Sequence, residues 1–419
     1  MERFNTLISW CVREGLSDVH ITGGHPVIYR KNGLLNFDKG GRWSHSEVDR
    51  LVGQLIAPLQ LAVLRKRRSI DFAISSNKVR LRINVFNTTR GLSIAIRILP
   101  GVVPSIDALN LHPSLRQIAD ARSGLVLICG AAGTGKSTTI AAIINEINQV
   151  KSSHVVTLED PIEYRFASKR SFIEQRELGE HIPSFEQGLV DVLREDPDVI
   201  LVGELRDAET MRLALNAAEA GHLIIASLHA TNSEDAVYRI CNSFPPDVQR
   251  AVRTQVASTL TWLIVQRLSY LERAGFRVPF LSIMRGTSAI KNIIRENKLA
   301  QIESTMQTSK GEGMFSSEAY AKDYIEKRTS FSSPSEIFRP SPELDESVYR
   351  SPLLDPEGVC CTYPAKSESS GPEMREGASP GPVEAPAGTP IRDIMVIGSE
   401  PRLEEVIDNI KKSGHYGEE

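Results

Sequence analysis

The amino-acid sequence predicts an α/β fold. A largely parallel sheet covered on both faces is preceded by a small α+β domain and followed by a mostly helical region. Three observations predict it. From about residue 113, apolar strand-like runs alternate with segments of helical spacing, the pattern of a parallel sheet with helices on its faces. Over the first hundred residues, apolar and polar residues alternate instead, as in half-buried antiparallel strands. Between a strand-like run at 125–129 and a helical stretch lies Gly130-Ala131-Ala132-Gly133-Thr134-Gly135-Lys136-Ser137. It reads G-x-x-x-x-G-K-S, in the strand–turn–helix setting that a phosphate-binding loop needs.

In chain order, residues 3–14 form an amphipathic helix with Phe4, Leu7, Ile8 and Cys11 on one side, and 17–22 alternate as a strand. Apolar runs at 27–30 and 34–37 flank Lys31-Asn32-Gly33, a hairpin signal. Ser44 with Glu47 three residues on is a capping box that opens a helix. Strands follow at 70–74, 79–86 and 92–98, so residues 1–99 make the N-terminal domain, and the Pro- and Gly-rich start of 100–112 marks a linker. The core, 113–270, has strands at 125–129, 154–159, 199–204 and 223–228, apolar enough to be buried on both sides. Its helices fall at 137–149, 184–194, 208–220 and 233–241. The stretch 247–330 reads as mostly helical, interrupted by apolar runs at 262–268 and 278–284, with 271–330 as a separate C-terminal region. Residues 331–419 are rich in Ser, Pro, Glu and Gly and bury too little apolar surface to offset their ordering entropy, so a disordered tail is expected, with a short helix at 402–412.

Composition narrows the function classes. A net charge of −3 over 419 residues argues against a generally basic nucleic-acid binder. Five cysteines, at 11, 129, 241, 360 and 361, form no C-x-x-C pair, so neither a zinc site nor a disulfide framework is indicated, and reduced thiols fit the cytosol. No apolar run is long enough to span a bilayer, so any membrane role is expected to be peripheral, through a partner.

The loop carries the first piece of chemistry. Gly133 and Gly135 let its N–H groups face phosphate oxygens, the following helix N-terminus, from Thr138 on, adds a favourable dipole, Lys136 reaches the β- and γ-phosphates, and Ser137 ligates Mg²⁺. The second is the apolar run 199–202 ending in Gly203-Glu204, a strand with a carboxylate at its tip and Gly203 where an Asp is usual. Glu204 is placed to deprotonate the attacking water or to hold Mg²⁺ through water. The third is Glu159-Asp160-Pro161-Ile162-Glu163 after another core strand. Active groups gather beyond the carboxyl ends of parallel strands, so Glu159 is aimed at the crevice of Lys136 and Glu204. The fourth is a strand bracketed by His222 and His229. His229, at the carboxyl end, suits a γ-phosphate sensor, and His222 a structural hydrogen bond.

These four motifs, in this order, resemble those of the secretion ATPases of type II and type IV pilus systems, in particular the pilus-retraction (twitching motility) ATPases of PilT type. The matching stretches are the phosphate loop, the Asp box at 158–164, the Walker B element at 200–207 and the His box at 221–240. The resemblance covers about residues 3–328 and implies a RecA-like P-loop ATPase core behind a PAS-like N-terminal domain. It further implies ATP and Mg²⁺ as cofactors, a homohexameric ring, and an inner-membrane platform protein as partner, with neither nucleic acid nor membrane insertion. A cytoplasmic location at the inner membrane follows from the same resemblance. In the family, arginines of the N-terminal domain reach the nucleotide bound between the domains. Arg80, Arg82 and Arg97 stand at matching strand positions, and Arg194 and Arg206 are candidates to bridge subunits. Ala289-Ile290-Lys291-Asn292-Ile293-Ile294-Arg295-Glu296 stands where retraction ATPases carry A-I-R-N-L-I-R-E. The chain lacks the four-cysteine insertion and larger N-terminal region of assembly ATPases, so retraction is the expected activity. An assembly or type II secretion ATPase is the alternative, followed by a RecA-like ATPase acting on DNA and a module that holds ATP with little hydrolysis.

Overall fold

The computed structural model describes residues 1–31, 34–76, 79–99 and 101–333. The Asn32-Gly33 turn, Pro100, and the chain from 334 on, with Cys360, Cys361 and the expected helix at 402–412, lie outside the described residues.

The first helix, α1 (Glu2–Arg13), buries Phe4, Ile8 and Cys11, the single face that its spacing dictates. Six strands follow: β1 (Asp18–Thr22), β2 (Pro26–Lys31), β3 (Leu34–Arg42), β4 (Ser69–Ser76), β5 (Val79–Thr88) and β6 (Gly91–Leu99). They form one sheet in the order β3-β2-β1-β6-β5-β4, antiparallel at every pairing. Side chains alternate across a strand. On β5, Leu81, Ile83 and Val85 therefore join α1 in one apolar cluster, and Arg80 and Arg82 lie on the opposite face. Helix α2 (His45–Leu55) begins at the expected capping box, with Glu47 N–H donating to Ser44 Oγ and Ser44 N–H to Glu47 Oε2. Helix α3 (Pro58–Arg67) has no apolar stripe for the sequence to reveal. It is held by Pro58 in its first turn, the Ala57 N–H bond to Gln60 Oε1, and the basic run Arg65, Lys66 and Arg67 at its carboxyl end.

The second sheet has seven strands: β7 (Gly124–Cys129), β8 (His154–Glu159), β9 (Phe172–Glu177), β10 (Val199–Val202), β11 (Leu223–Leu228), β12 (Leu260–Leu271) and β13 (Phe276–Arg285). Their order is β13-β12-β7-β11-β10-β8-β9, and only the β12–β13 pairing is antiparallel. The longer α-helices are α4 (Lys136–Val150), α5 (Phe185–Val192), α6 (Ala208–Glu219), α7 (Ser233–Asn242), α8 (Gln249–Thr259), α9 (Ser288–Arg295) and α10 (Ile302–Thr308). The two faces of the sheet belong to different cores. Leu125, Leu127 and Cys129 pack with α6, α7 and α8, whereas Val126 and Ile128 pack with α4.

Three elements differ from the sequence reading. The apolar runs that interrupt the helical expectation for 247–330 are a hairpin, β12–β13, with paired residues from Trp262↔Arg285 to Leu271↔Phe276. They are strands because β12 adds to the free edge of β7, where the apolar run is covered by sheet and helices. The region 271–330 is thus helical only after it opens with β13. Strand β9 was missed because Phe172–Glu177 carries polar Glu174, Gln175, Arg176 and Glu177, tolerable at a sheet edge. The strand expected at 199–204 ends at Val202.

Candidate functional site

Parallel pairing brings the ends of β7, β8, β10 and β11 to one side of the sheet. The registers Val202↔Leu158, Val202↔Ala226 and Leu228↔Cys129 place the residues after each strand side by side. There they line a cavity of about 270 Å³.

From the loop, Ala132, Gly133, Lys136 and Ser137 line this cavity. Gly130, Gly133 and Gly135 have φ of +148°, +75° and +86°, a region that glycine enters without strain. Gly135 ends the loop as the N-cap of α4. Thr134 Oγ1 donates to the Ala131 carbonyl at 2.9 Å, and Thr138 accepts the Tyr164 hydroxyl at 3.0 Å. The Lys136 ammonium donates to the carbonyls of Gly130 at 2.9 Å and Ala131 at 3.0 Å. Burial holds its pKa below the usual lysine value, against the pull of Glu204.

Glu159, Glu204 and His229 meet the same cavity. Glu159 Oε1 accepts from Thr157 Oγ1 at 2.7 Å and Gln175 Nε2 at 3.0 Å. Burial nonetheless pushes its carboxyl up to about 7. Glu204 is bound at both oxygens, Oε1 by His229 Nε2 at 3.0 Å and Oε2 by Arg206 Nε at 2.7 Å. At Gly203, where an Asp is usual, a Cβ would lie 3.1 Å from the Leu158 carbonyl oxygen, a tight contact. Its N–H donates to that same carbonyl at 2.7 Å, and its own carbonyl accepts from Ser227 Oγ. His222 lies at the far end of β11, with Nδ1 2.8 Å from the Pro197 carbonyl.

The expected arginines divide. Arg82 and Arg97, from β5 and β6, line the cavity, tethered to Asp71 at 2.6 Å and Asp18 at 2.9 Å. Arg206 also lines it. Arg80 does not: its side chain, 5% exposed, pairs with Glu177 at 3.2 Å and donates to the Ile162 carbonyl at 3.2 Å. Glu177 accepts from Ile162 N–H as well, at 3.1 Å. Burial pushes the Glu177 carboxyl up and the Arg80 guanidinium down, against their mutual attraction. Arg80 is therefore a buried tie between β5 and the loop after β8, outside the cavity lining, and of the three candidate arginines of the first sheet only Arg82 and Arg97 reach the cavity. Arg194 is exposed and absent from the cavity lining.

Sequence reasoning missed Gln175, which steadies Glu159, and Gln266, which touches the loop from β12. Single amides in strands carry no motif. The one available signal for Gln266 was a polar residue ending the apolar run 262–265. Among the described residues no three His, Cys, Asp or Glu side chains gather as a metal site.

A glycine-rich loop between β7 and α4, with acidic strand ends on its flank, marks the molecule as a P-loop nucleotide-binding protein of the α/β class. The comparisons narrow the class. The family model described as Type II/IV secretion system protein matches residues 4–312, and the chain belongs to this family. It is 42% identical over 272 residues to the Twitching motility protein of Neisseria gonorrhoeae, covering 65% of this chain and 73% of that one. It is 36% identical over 322 residues to the type IV pilus retraction ATPase PilT of Pseudomonas aeruginosa, covering 77% of this chain and 93% of that one. A crystal structure of the pilus retraction motor PilT with bound ADP superposes with a TM-score of 0.71 at 36% identity, over 82% of this chain and 98% of the other. No helix among the described residues is long and apolar enough to cross a membrane.

Proposed function

We propose that the chain is a Mg²⁺-dependent ATPase that works as a cytoplasmic homohexamer and powers pilus retraction through an inner-membrane platform protein. The observation that carries this reading is the shared cavity, where Lys136, Glu159, Glu204 and His229 from the second sheet meet Arg82 and Arg97 from the first. The relatives named as retraction and twitching-motility proteins support the direction of the motor.

On this reading the two sheets belong to two domains that close on ATP. Lys136 exchanges its bonds to Gly130 and Ala131 for the β- and γ-phosphates, and the N–H groups of the loop face the remaining phosphate oxygens. The cavity offers the Ser137 hydroxyl and the Glu204 carboxylate, oxygen donors that suit a hard cation completed by phosphate and water. Mg²⁺ there would neutralise phosphate charge. Glu204 gives up Arg206 to take the proton of the attacking water, Glu159 assists, and His229 reports the γ-phosphate to Glu204 through their 3.0 Å contact. Arg82 and Arg97 leave their aspartates for the phosphates, which draws the first sheet towards the second.

Deleting the protein from its cell tests the direction. A retraction motor leaves more surface pili and no twitching. Loss of all pili would instead make it an assembly motor.

A further inference from the structure

Gln266 sits on β12 one residue past the pair Val265↔Cys129, level with the first glycine of the loop. It is 3% exposed. Its Nε2 donates to the Thr134 carbonyl at 2.7 Å, and its Oε1 accepts from the Thr139 hydroxyl at 2.7 Å. A carbonyl only accepts, so the nitrogen must face Thr134, and the oxygen is left for the hydroxyl. The contact extends to the backbone. A Cβ on Gly130 would come within 2.4 Å of the Gln266 carbonyl oxygen, and one on Gly135 within 3.0 Å of its Nε2. The loop is thus moulded on this residue at both of its ends.

We propose that Gln266 is a positioning residue for the nucleotide site. Its neutral amide ties the loop at Thr134 to the first turn of α4 at Thr139, and so holds the N–H groups of 133–137 in the arrangement that receives phosphate. This rests on the nucleotide-binding reading above. The chemistry is specific to an amide. A carboxylate at 266 sets oxygen against the Thr134 carbonyl and puts negative charge behind the phosphates. A methionine keeps the volume and loses both bonds.

The test combines ADP titration with steady-state ATPase kinetics on the full chain. In Gln266→Met, the ADP Kd and the KM for ATP rise about tenfold while kcat changes less than about threefold, the split expected when uniform binding is lost. Gln266→Glu raises both further. Thr139→Val cuts one arm of the bridge and raises both about threefold, and Thr139→Ser restores them. Should Gln266→Met fail to fold, the Thr139 pair reads the same bridge. Unchanged ADP affinity in Gln266→Met, or in Thr139→Val, overturns the proposal, as does an equal loss in Thr139→Val and Thr139→Ser. A wild-type chain that binds no ADP would instead overturn the nucleotide site itself.

Discussion

The two sheets furnish the cavity in different ways. On the second, the functional groups follow strands that are buried on both faces and are held by several fixed partners: glycines at positive φ shape the loop, the lysine folds onto loop carbonyls, and the Glu159 carboxylate accepts from the Thr157 and Gln175 side chains. On the first, Arg82 and Arg97 are partly exposed and tethered by one aspartate each. Exposed pairs of this kind hold by about 0–1 kcal/mol, so these arginines are weakly held. Arg80, two residues from Arg82 on the same face, shows the other extreme, a buried tie to Glu177. One side of the cavity is preorganised and the other is weakly tethered, the contrast on which the proposed closure over ATP rests.

Variants can break this contrast. The largest effect falls on the preorganised side: Lys136→Ala lowers ATP turnover by about 100- to 1,000-fold, read by a steady-state phosphate-release assay. Arg80→Met leaves Glu177 buried without its partner and lowers unfolding stability by about 3–5 kcal/mol, and adding Glu177→Gln returns most of it. Urea denaturation of the single and double variants checks this. Glu159 sharpens the contrast through pH. Its folded pKa, about 7, lies above the ordinary 4.5, so between those values the folded state binds more protons than the unfolded one. Its contribution is fully present below pH 4.5, and stability falls as pH rises through about 7, by on the order of 3 kcal/mol. Glu159→Gln removes that slope, as urea midpoints at several pH values will show. The smallest stability effects belong to Arg82→Ala and Arg97→Ala, each within about 1 kcal/mol of wild type. Their turnover nevertheless drops about tenfold, the loss of roughly one charged hydrogen bond. A stability loss like that of Arg80→Met would erase the distinction.

Much of this was legible in the sequence where a local rule applies. The loop, the capping box at Ser44 and the buried strands announced themselves, because glycine placement, cap chemistry and unbroken apolar runs are local properties. The β12–β13 hairpin was not, since an apolar run of that length suits a buried helix as well as a strand until its neighbour β7 is known. The division of the arginines was equally hidden. Arg80 and Arg82 alternate on one strand, and only the approach of Glu177 and Ile162 separates a structural tie from a residue of the cavity. Gln266 and Gln175 act through partners far away in sequence, Thr134, Thr139 and Glu159, so no spacing could reveal them.

Glu204 is proposed as the base with which this cavity hydrolyses ATP. ATP binding and turnover of Glu204→Gln, measured side by side with wild type, test it most directly. The expected result is ATP affinity within about threefold of wild type and turnover reduced at least about 100-fold. Hydrolysis by Glu204→Gln at the wild-type rate would contradict it.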